Sequence, residues 1–167
     1  RVIVMLPPGL ELISALLGVF YSGGIAALIP PVASDKDRSF LDSIIKDMSP
    51  DAIITEEKYV SKLSDFLEQN NFSSPLSIHP IEEVYQVDGN LWESPEDLQH
   101  APCLIQYTSG SSGEPKGVVL SHHNIMHNSL VIQQSFFNTS KSYGVIWLPP
   151  YHDMGLIGGI MQPLFAG

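Results

Sequence analysis

The chain has 167 residues and a formal net charge of −10, with eight Lys and Arg residues against eighteen Asp and Glu residues. Fifteen of the acidic residues lie between Asp35 and Asp97, which argues against a surface that binds nucleic acids or anionic membranes. Cys103 is the one cysteine, so no disulfide framework forms within the chain, and its apolar surroundings predict a buried strand residue rather than a reactive thiol.

A chain of this length is long enough for one domain with a substantial core. The longest apolar region, "LELISALLGVFYSGGIAALIPP", is interrupted by Glu11, two serines and the pair Gly23 and Gly24, which argues against a membrane span. No signal peptide is recognisable at the start, so we expect a cytoplasmic protein. Both ends break off abruptly, and we expect a piece of a larger protein.

The first elements in chain order are a strand, a helix and a strand. "VIVML" (Val2 to Leu6) is a continuous apolar run, as in a strand covered on both faces, and two prolines end it. Apolar residues then recur at helical spacing, and Gly23-Gly24 separates this helix from the apolar run "IAALIP". The helical stripe consists of Ile13, Leu16, Leu17 and Phe20.

The pattern repeats in the next forty residues. Asp35 is a predicted N-cap for a second helix that ends at Pro50, and "AIIT" (Ala52 to Thr55) is the next predicted strand. A third helix is predicted from about Glu57 to Gln69. The inward residues of these two helices are Phe40, Leu41, Ile44, Ile45 and Met48, and then Tyr59, Leu63, Phe66 and Leu67.

Periodicity fades between residues 71 and 102, where "PLSIH" is one possible short strand. We therefore divide the chain into a first αβ portion (1–70), a connection (71–102) and a third portion (103–167). In the third portion "CLIQYT", "GVVLS" and "GVIWLP" are predicted strands, with a helix from about His123 between the last two. Its inward stripe is Ile125, Ser129, Ile132 and Phe136. Strands that alternate with helices predict an α/β fold with a largely parallel sheet and helices on its faces.

The stretch "QYTSGSSGEPKGVVLSH" combines the residue types of a phosphate-binding loop. Its glycines let backbone N–H groups approach an anion, its hydroxyls add donors, and Lys116 adds positive charge after a buried strand. An ordinary solvated turn has a similar composition, so both interpretations remain open on composition alone. The glycines are Gly110, Gly113 and Gly117, and the hydroxyl residues are Thr108, Ser109, Ser111 and Ser112.

Spacing excludes three familiar loops. A Walker loop requires Gly-Lys-Ser/Thr at the start of a helix, whereas Pro115 precedes Lys116 and a strand-like run follows. Gly110 and Gly113 do not fit G-x-G-x-x-G, and neither Ser111 nor Ser112 fits the G-x-S-x-G nucleophile elbow.

"YTSGSSGEPKGVVLSH" closely resembles the phosphate-binding signature of the adenylate-forming superfamily, with Ser112 where Thr is commoner. "WLPPYHDMGLIGGIMQPLFAG" and the region before the loop resemble the fatty acyl-AMP ligase branch. The resemblance implies the layered parallel-sheet architecture of the large N-terminal domain, incomplete in this chain. It also implies conversion of a fatty acid and ATP into acyl-adenylate and pyrophosphate, followed by transfer to an acyl carrier protein or a carrier domain of a polyketide or nonribosomal peptide synthase.

The resemblance assigns roles to individual residues. Catalytic roles fall to His152 and Lys116, and Mg²⁺ is implied beside ATP without any metal ligand that we can name. The implied phosphate-binding residues are Thr108, Ser109, Gly110, Ser111, Ser112, Gly113, Lys116 and Gly117. The implied acyl-binding residues are His152, Met154, Gly155, Ile157, Gly158 and Gly159.

Other residues keep two interpretations. Leu156, Ile160 and Met161 fit an acyl tunnel or ordinary core packing, and Asp153 is predicted to cap the next helix rather than to bind metal. His123 and His127 have the spacing of a zinc pair, but the intervening Glu and a third ligand are missing, so we do not assign zinc.

Two alternative functions remain beside the fatty acyl-AMP ligase. One is an acyl-CoA synthetase, which uses coenzyme A as acceptor, and the other is a non-catalytic scaffold or sensor. The later motifs of the superfamily, including the lysine of its lid domain, are not found in this chain, so we expect the 167 residues alone to be inactive.

Overall fold

The computed structural model describes residues 1–32, 34–70, 72, 76–96, 98–109 and 115–167. The described strands are β1 Val2–Met5, β2 Ala26–Leu28, β3 Ala52–Thr55, β4 Ser77–Pro80, β5 Pro102–Ser109 and β6 Pro115–Ser121. The α-helices are α1 Leu10–Tyr21, α2 Asp35–Met48, α3 Glu57–Asn70, α4 Ile81–Val84, α5 His122–Phe136 and α6 Gln162–Ala166. A 3₁₀ turn spans Gly89–Leu91, and a π-helical segment, Met154–Met161, runs directly into α6.

The described strands form one sheet in the order β4-β3-β1-β2-β5-β6. Every neighbouring pair is parallel except β5 and β6, which are antiparallel. The predicted α/β fold with a largely parallel sheet is therefore confirmed. The division into three portions stays a prediction.

Helices cover both faces of the sheet, and β1 shows why. Its side chains alternate, so that Val4 packs with α1 and α5 on one face while Ile3 and Met5 pack with α2 and α3 on the other. All three side chains are fully buried, and each such burial stabilises the fold by roughly 1.5–3 kcal/mol. A continuous apolar run is thus what a strand between two helical layers requires.

Short polar motifs begin α2 and α5. Ser34, and not the predicted Asp35, is the N-cap of α2: its hydroxyl accepts from the backbone N–H of Asp37, whose carboxylate accepts from the backbone N–H of Ser34. Ser121 and Asn124 form the same reciprocal arrangement at α5. The predicted N-cap was wrong by one residue, because Ser34 and Asp35 are adjacent and both are residue types that commonly cap helices.

Two further predictions require correction. "GVIWLP" is not a strand, and Tyr143, Val145 and Trp147 are exposed. A strand is stable only with a hydrogen-bonded neighbour, and the described part of the chain offers this segment none. Phe136 does not point into the core with Ile125 but is mostly exposed near the C-terminal end of α5. The other predicted strands and helices are present, with ends shifted by only a few residues.

Among the described residues, no helix combines the length and the apolar character that crossing a membrane would need.

Candidate functional site

The predicted phosphate loop joins the antiparallel strands β5 and β6. Ser109 pairs with Pro115 at the end of the ladder, and Thr108 pairs with Lys116. Gly110, Ser111, Ser112 and Gly113 lie outside the described residues. The described flanks nevertheless fix where the loop leaves the sheet and where it returns.

Thr108 and Lys116 occupy one face of the strand pair, since directly opposed residues in an antiparallel ladder share a face. Lys116 is exposed, and within the described ranges its ammonium group has no ion-pair partner. A cation and a hydroxyl therefore stand side by side at the strand ends, available to an anion.

Gly117 has a packing role that the sequence interpretation did not anticipate. A Cβ atom at this position would lie 2.8 Å from Cγ2 of Ile105 and 3.2 Å from the Tyr107 ring. The Tyr107 ring occupies the space over the glycine, and its hydroxyl donates to a carboxylate oxygen of Asp47 on α2 at 2.7 Å. Burial, and then this hydrogen bond to Asp47, raise the pKa of Tyr107, which keeps the hydroxyl protonated as a donor.

His152 lies on the segment before the π-helix, which contacts β5 and the residue that follows β1. The side-chain amide of Gln106 donates to the backbone carbonyl of Tyr151 at 2.7 Å, and the Tyr151 hydroxyl donates to the carbonyl of Leu6 at 2.6 Å. The backbone N–H of His152 donates to the carbonyl of Pro149 at 3.2 Å. The His152 side chain itself is exposed.

A cleft of about 760 Å³ brings the flanks of the phosphate loop together with His152. Thr108 and Pro115 from the strand pair line it together with His152 and Asp153 from the later segment. The remaining lining residues are Phe40, Gln106, Tyr107, Val118, Leu120, Asn128 and Ile157. The cleft thus extends over part of the β5–β6 pair towards the carboxyl end of β5, and ligands of open α/β sheets bind near the carboxyl ends of strands.

An apolar groove of about 530 Å³ adjoins the cleft between α5 and the π-helical segment. The two share Asn128, Asp153 and Ile157 as lining residues, so they are immediate neighbours. The remaining lining residues of the apolar groove are Ile132, Phe136, Asn138, Ile146, Met154, Gly158 and Gln162. Phe136 is exposed because it lines this groove instead of packing in the core.

The three glycines of the π-helical segment differ in their surroundings. A Cβ atom on Gly155 would lie 2.1 Å from the carbonyl oxygen of Pro149, and one on Gly159 would lie 2.7 Å from Cδ1 of Ile146. Nothing lies within 4 Å of the corresponding position on Gly158, which faces the apolar groove. Gly155 and Gly159 therefore serve close packing, whereas Gly158 leaves space open.

The apolar residues of the same segment divide in a similar way. Leu156 is fully buried in the core beneath α1, and Ile160 and Met161 pack against that core. Ile157 lines both the cleft and the apolar groove, and Met154 lines the groove while largely exposed. Core packing is thus the observed role of Leu156, which was open between core and tunnel.

Asp153 caps the segment that follows, as predicted, because its carboxylate accepts from the backbone N–H of Met154 at 2.8 Å. In the described ranges no group of three His, Cys, Asp or Glu side chains is arranged to hold a metal ion, and the His123 and His127 rings lie 6.0 Å apart between centroids. The described cleft residues therefore provide no protein ligand set for Mg²⁺, and we assign none.

Cys103 is a fully buried strand residue, as predicted. Burial raises the pKa of its thiol from 9.0 to about 12.

Sequence reasoning did not single out Gln106, Asn128 or Ile132 as site residues. One signal was available: Gln106 lies two residues before Thr108, so both lie on the same face of a strand. Asn128 and Ile132 line the site because α5 packs beside the π-helical segment. This packing joins distant parts of the chain, so no local sequence pattern predicts it.

The antiparallel pair β5 and β6 at the edge of an otherwise parallel sheet, with a cleft lined by Thr108 and His152, fits the large domain of an adenylate-forming enzyme. The chain belongs to the AMP-binding enzyme family, whose model matches residues 1–167.

Curated relatives match the whole chain. It is 31% identical over 171 residues to "Medium-chain-fatty-acid--[acyl-carrier-protein] ligase JamA" of Moorena producens, covering 100% of the chain and 29% of JamA. It is 35% identical over 175 residues to "Long-chain-fatty-acid--AMP ligase FadD28" of Mycobacterium tuberculosis, covering 100% of the chain and 30% of FadD28. The chain thus spans under a third of the length of these relatives.

Among solved structures, the fatty acyl-adenylate ligase from Legionella pneumophila, in complex with acyl adenylate and pyrophosphate, superposes with a TM-score of 0.86 and 32% identity. The match covers 100% of this chain and 28% of that protein. The layered architecture predicted for an incomplete N-terminal domain is therefore confirmed.

Proposed function

We propose that the intact protein containing this chain is a fatty acid–AMP ligase, which joins a fatty acid to ATP as acyl-adenylate and releases pyrophosphate. The observation that carries the proposal is that the cleft and the apolar groove share three lining residues, so a polar nucleotide and an apolar chain can be bound side by side. The similarity to the Legionella pneumophila ligase with acyl adenylate and pyrophosphate supports it.

In this reaction a carboxylate oxygen of the acid attacks the α-phosphorus of ATP. The bond from that phosphorus to the bridging oxygen breaks, and the oxygen leaves on pyrophosphate with the electron pair. Lys116 and Thr108 are paired across β6 and β5 and share one face of the sheet. They stabilise the negative charge of the departing β- and γ-phosphates. We expect the glycines and hydroxyls of residues 109–113 and Gly117 to complete this phosphate site, and Mg²⁺ to reduce phosphate charge while held by substrate and water.

His152 lines the same cleft as Thr108 and carries an imidazole that can donate a hydrogen bond. We assign it to the oxygens shared by the fatty carboxylate and the α-phosphate, where negative charge develops during attack. A donor held in place before the reaction stabilises that charge without reorganisation at the moment of bond formation.

The acyl chain occupies the apolar groove in this proposal. Ile157 stands where the cleft and the groove meet, and Met154, Gly158 and Phe136 line the path beyond it. Burial of the chain contributes about 0.8 kcal/mol per methylene. The groove therefore supplies affinity for the acyl chain, whereas adenylation takes place in the cleft. Gly155 and Gly159 support the site through packing.

Transfer to a carrier completes the proposed function. A phosphopantetheine thiolate of an acyl carrier protein attacks the acyl carbonyl carbon, a thioester forms, and AMP leaves. The similarity to JamA, an acyl-carrier-protein ligase, supports this acceptor over coenzyme A. A cytoplasmic location agrees with the use of ATP and fatty acids.

The test is incubation of the intact protein with ATP, Mg²⁺ and saturated acids of graded length, with acyl-adenylate and pyrophosphate measured separately. We expect both products in equal amounts, and neither from the isolated 167-residue chain. Addition of a phosphopantetheinylated carrier or of coenzyme A then identifies the acceptor. An absence of acyl-adenylate with every acid would refute the ligase and favour a non-catalytic scaffold, whereas acyl-CoA alone would favour a synthetase.

A further inference from the structure

The peptide bond between Tyr151 and His152 is held at both of its polar ends. Its carbonyl accepts from the Gln106 side-chain amide at 2.7 Å, and its N–H donates to the Pro149 carbonyl at 3.2 Å. The peptide group is planar and includes the Cα atom of His152. Fixing the plane therefore fixes the point from which the His152 side chain starts.

The Tyr151 side chain adds a second attachment to the sheet. Its hydroxyl donates to the Leu6 carbonyl, just beyond β1, at 2.6 Å. Burial, together with the nearby Tyr59 and Glu56, raises the pKa of Tyr151 to about 12, so the hydroxyl remains a donor under assay conditions. The segment is thus attached to β5 through Gln106 and to β1 through Tyr151.

Gln106 is a polar residue at a buried strand position, where apolar side chains are usual. It is only 7% exposed on a central part of β5, where an apolar side chain would avoid the cost of removing an amide from water. The amide adds a directed hydrogen bond to one backbone carbonyl, which Leu or Met cannot make. Gln106 also lies two residues before Thr108 on the same strand face, so one strand carries the contact to His152 and the start of the phosphate loop.

We propose that Gln106 is a positioning residue, which holds the His152 peptide in a fixed relation to the phosphate loop during adenylation. The proposal rests on the fatty acid–AMP ligase function given above. A rigid connection between the two is what the reaction requires, because the attacked phosphorus lies between the oxygens that His152 contacts and the phosphates that the loop retains. Displacement of the histidine would slow the chemical step without weakening ATP binding.

The test compares three variants of the intact protein with wild type. Gln106→Met keeps the length of the side chain and removes the donor, and Gln106→Glu keeps its shape but presents a carboxylate. Thr55→Val is the matched control, because it removes a fully buried hydroxyl that donates to the Met5 carbonyl of β1 but does not line the cleft. The readouts are kcat, KM for ATP and hydrogen exchange of peptides covering residues 149–156.

We expect Gln106→Met to lower kcat about 10- to 100-fold with KM for ATP within about twofold of wild type. Exchange should become faster over residues 149–156 in this variant and stay unchanged there in Thr55→Val. Gln106→Glu should regain activity relative to Gln106→Met as the pH falls, because its protonated carboxyl group can donate to the Tyr151 carbonyl again.

Unchanged hydrogen exchange in Gln106→Met would overturn the proposal whatever the activity. Faster exchange with an unchanged kcat would also overturn it, since the bond would then hold the segment without serving the reaction. A wild-type protein that makes no acyl-adenylate would refute the ligase function, and with it any role of Gln106 in that reaction. An active wild type with an unaffected Gln106→Met variant would refute the role of Gln106 alone.

Discussion

Lys116 lies directly opposite Thr108 in the antiparallel pair of β5 and β6, so the ammonium group and the hydroxyl start from the same face of the sheet. This pairing places both groups before any ligand arrives. Electrostatic stabilisation is most effective when the charges and dipoles need no reorganisation during the reaction.

Replacing Lys116 with Ala should lower kcat/KM for ATP about 10- to 100-fold in the intact protein, which corresponds to a charge-assisted hydrogen bond of roughly 1.5–3 kcal/mol. The measurement is pyrophosphate release at varied ATP concentration. Lys46→Ala is the control, because Lys46 pairs with Asp42 on the exposed surface of α2 away from the cleft. Equal activity of the two variants would contradict the phosphate role of Lys116.

Replacing His152 with Ala should lower kcat by about 100-fold, as the loss of one preorganised donor does in other active sites. KM for ATP should change little, since the phosphates are held by the loop in our proposal. The matched control is His79→Ala, which removes an exposed histidine that contacts Ser77 on the edge strand β4. A His152→Ala variant with the kcat of His79→Ala would exclude His152 from the chemistry.

Replacing Gly158 with Phe should shift the preference of the enzyme towards shorter acids. A Cβ atom on Gly158 meets nothing within 4 Å and Gly158 lines the apolar groove, so the new side chain is expected to project into that groove. We expect kcat/KM to fall for long chains and to hold for short ones, measured over a series of saturated acids. Gly158→Ala should retain the wild-type profile, and an unchanged profile in Gly158→Phe would place the acyl chain elsewhere.

Gly155 provides a contrast within the same segment. A methyl group there would lie 2.1 Å from the Pro149 carbonyl oxygen, so Gly155→Ala must displace the backbone on which His152 stands. We expect loss of activity with every acid, independent of chain length, and a lowered melting temperature. A selective loss of long acids in this variant would instead indicate that Gly155 contacts the acyl chain.

Cys103 should be nearly inert towards alkylation in the native protein. At pH 8 a thiol with a pKa of about 12 has roughly 1000-fold less thiolate than one with a pKa of 9.0, and the thiolate is the reactive form. Mass spectrometry of the peptide containing Cys103, after timed exposure to iodoacetamide, measures the rate. Its reactivity should keep rising above pH 9 and should reach that of an ordinary thiol on denaturation; rapid labelling at pH 8 would contradict the burial.

Much of the fold could be predicted because its strands are continuous apolar runs and its helices carry clear stripes. The strand Ala52–Thr55 matches its predicted bounds, since buried parallel strands have a distinct composition. The direction of β6 could not be predicted, because side-chain periodicity is the same in parallel and antiparallel strands. The wrong prediction of a strand at "GVIWLP" has a related cause: a strand depends on a partner that its own sequence does not specify.

The candidate site shows the same difference between features that the local sequence predicts and features that depend on the fold. Lys116 and His152 were chosen from the sequence by residue type and motif, and their roles stay predictions; the structure shows that Thr108 and His152 line one cleft. Gln106 was not found, because the contact with Tyr151 joins positions 45 residues apart and depends on how the sheet and the following segment pack. Sequence patterns thus predicted the chemical groups, whereas the hydrogen bond that holds the segment of His152 could be seen only in the fold.

The π-helical geometry of Met154–Met161 has a consequence for how the apolar groove is built. A π-helix differs from an α-helix by a wider turn, equivalent to one additional residue per turn of backbone hydrogen bonding. Removal of a single residue between Asp153 and Gln162 would allow an α-helix to form and would rotate the preceding side chains by about 100° relative to α6. The groove therefore depends on helical phase as well as on side-chain identity, and a homologue with the same residues but one fewer in this segment would present a different wall to its substrate.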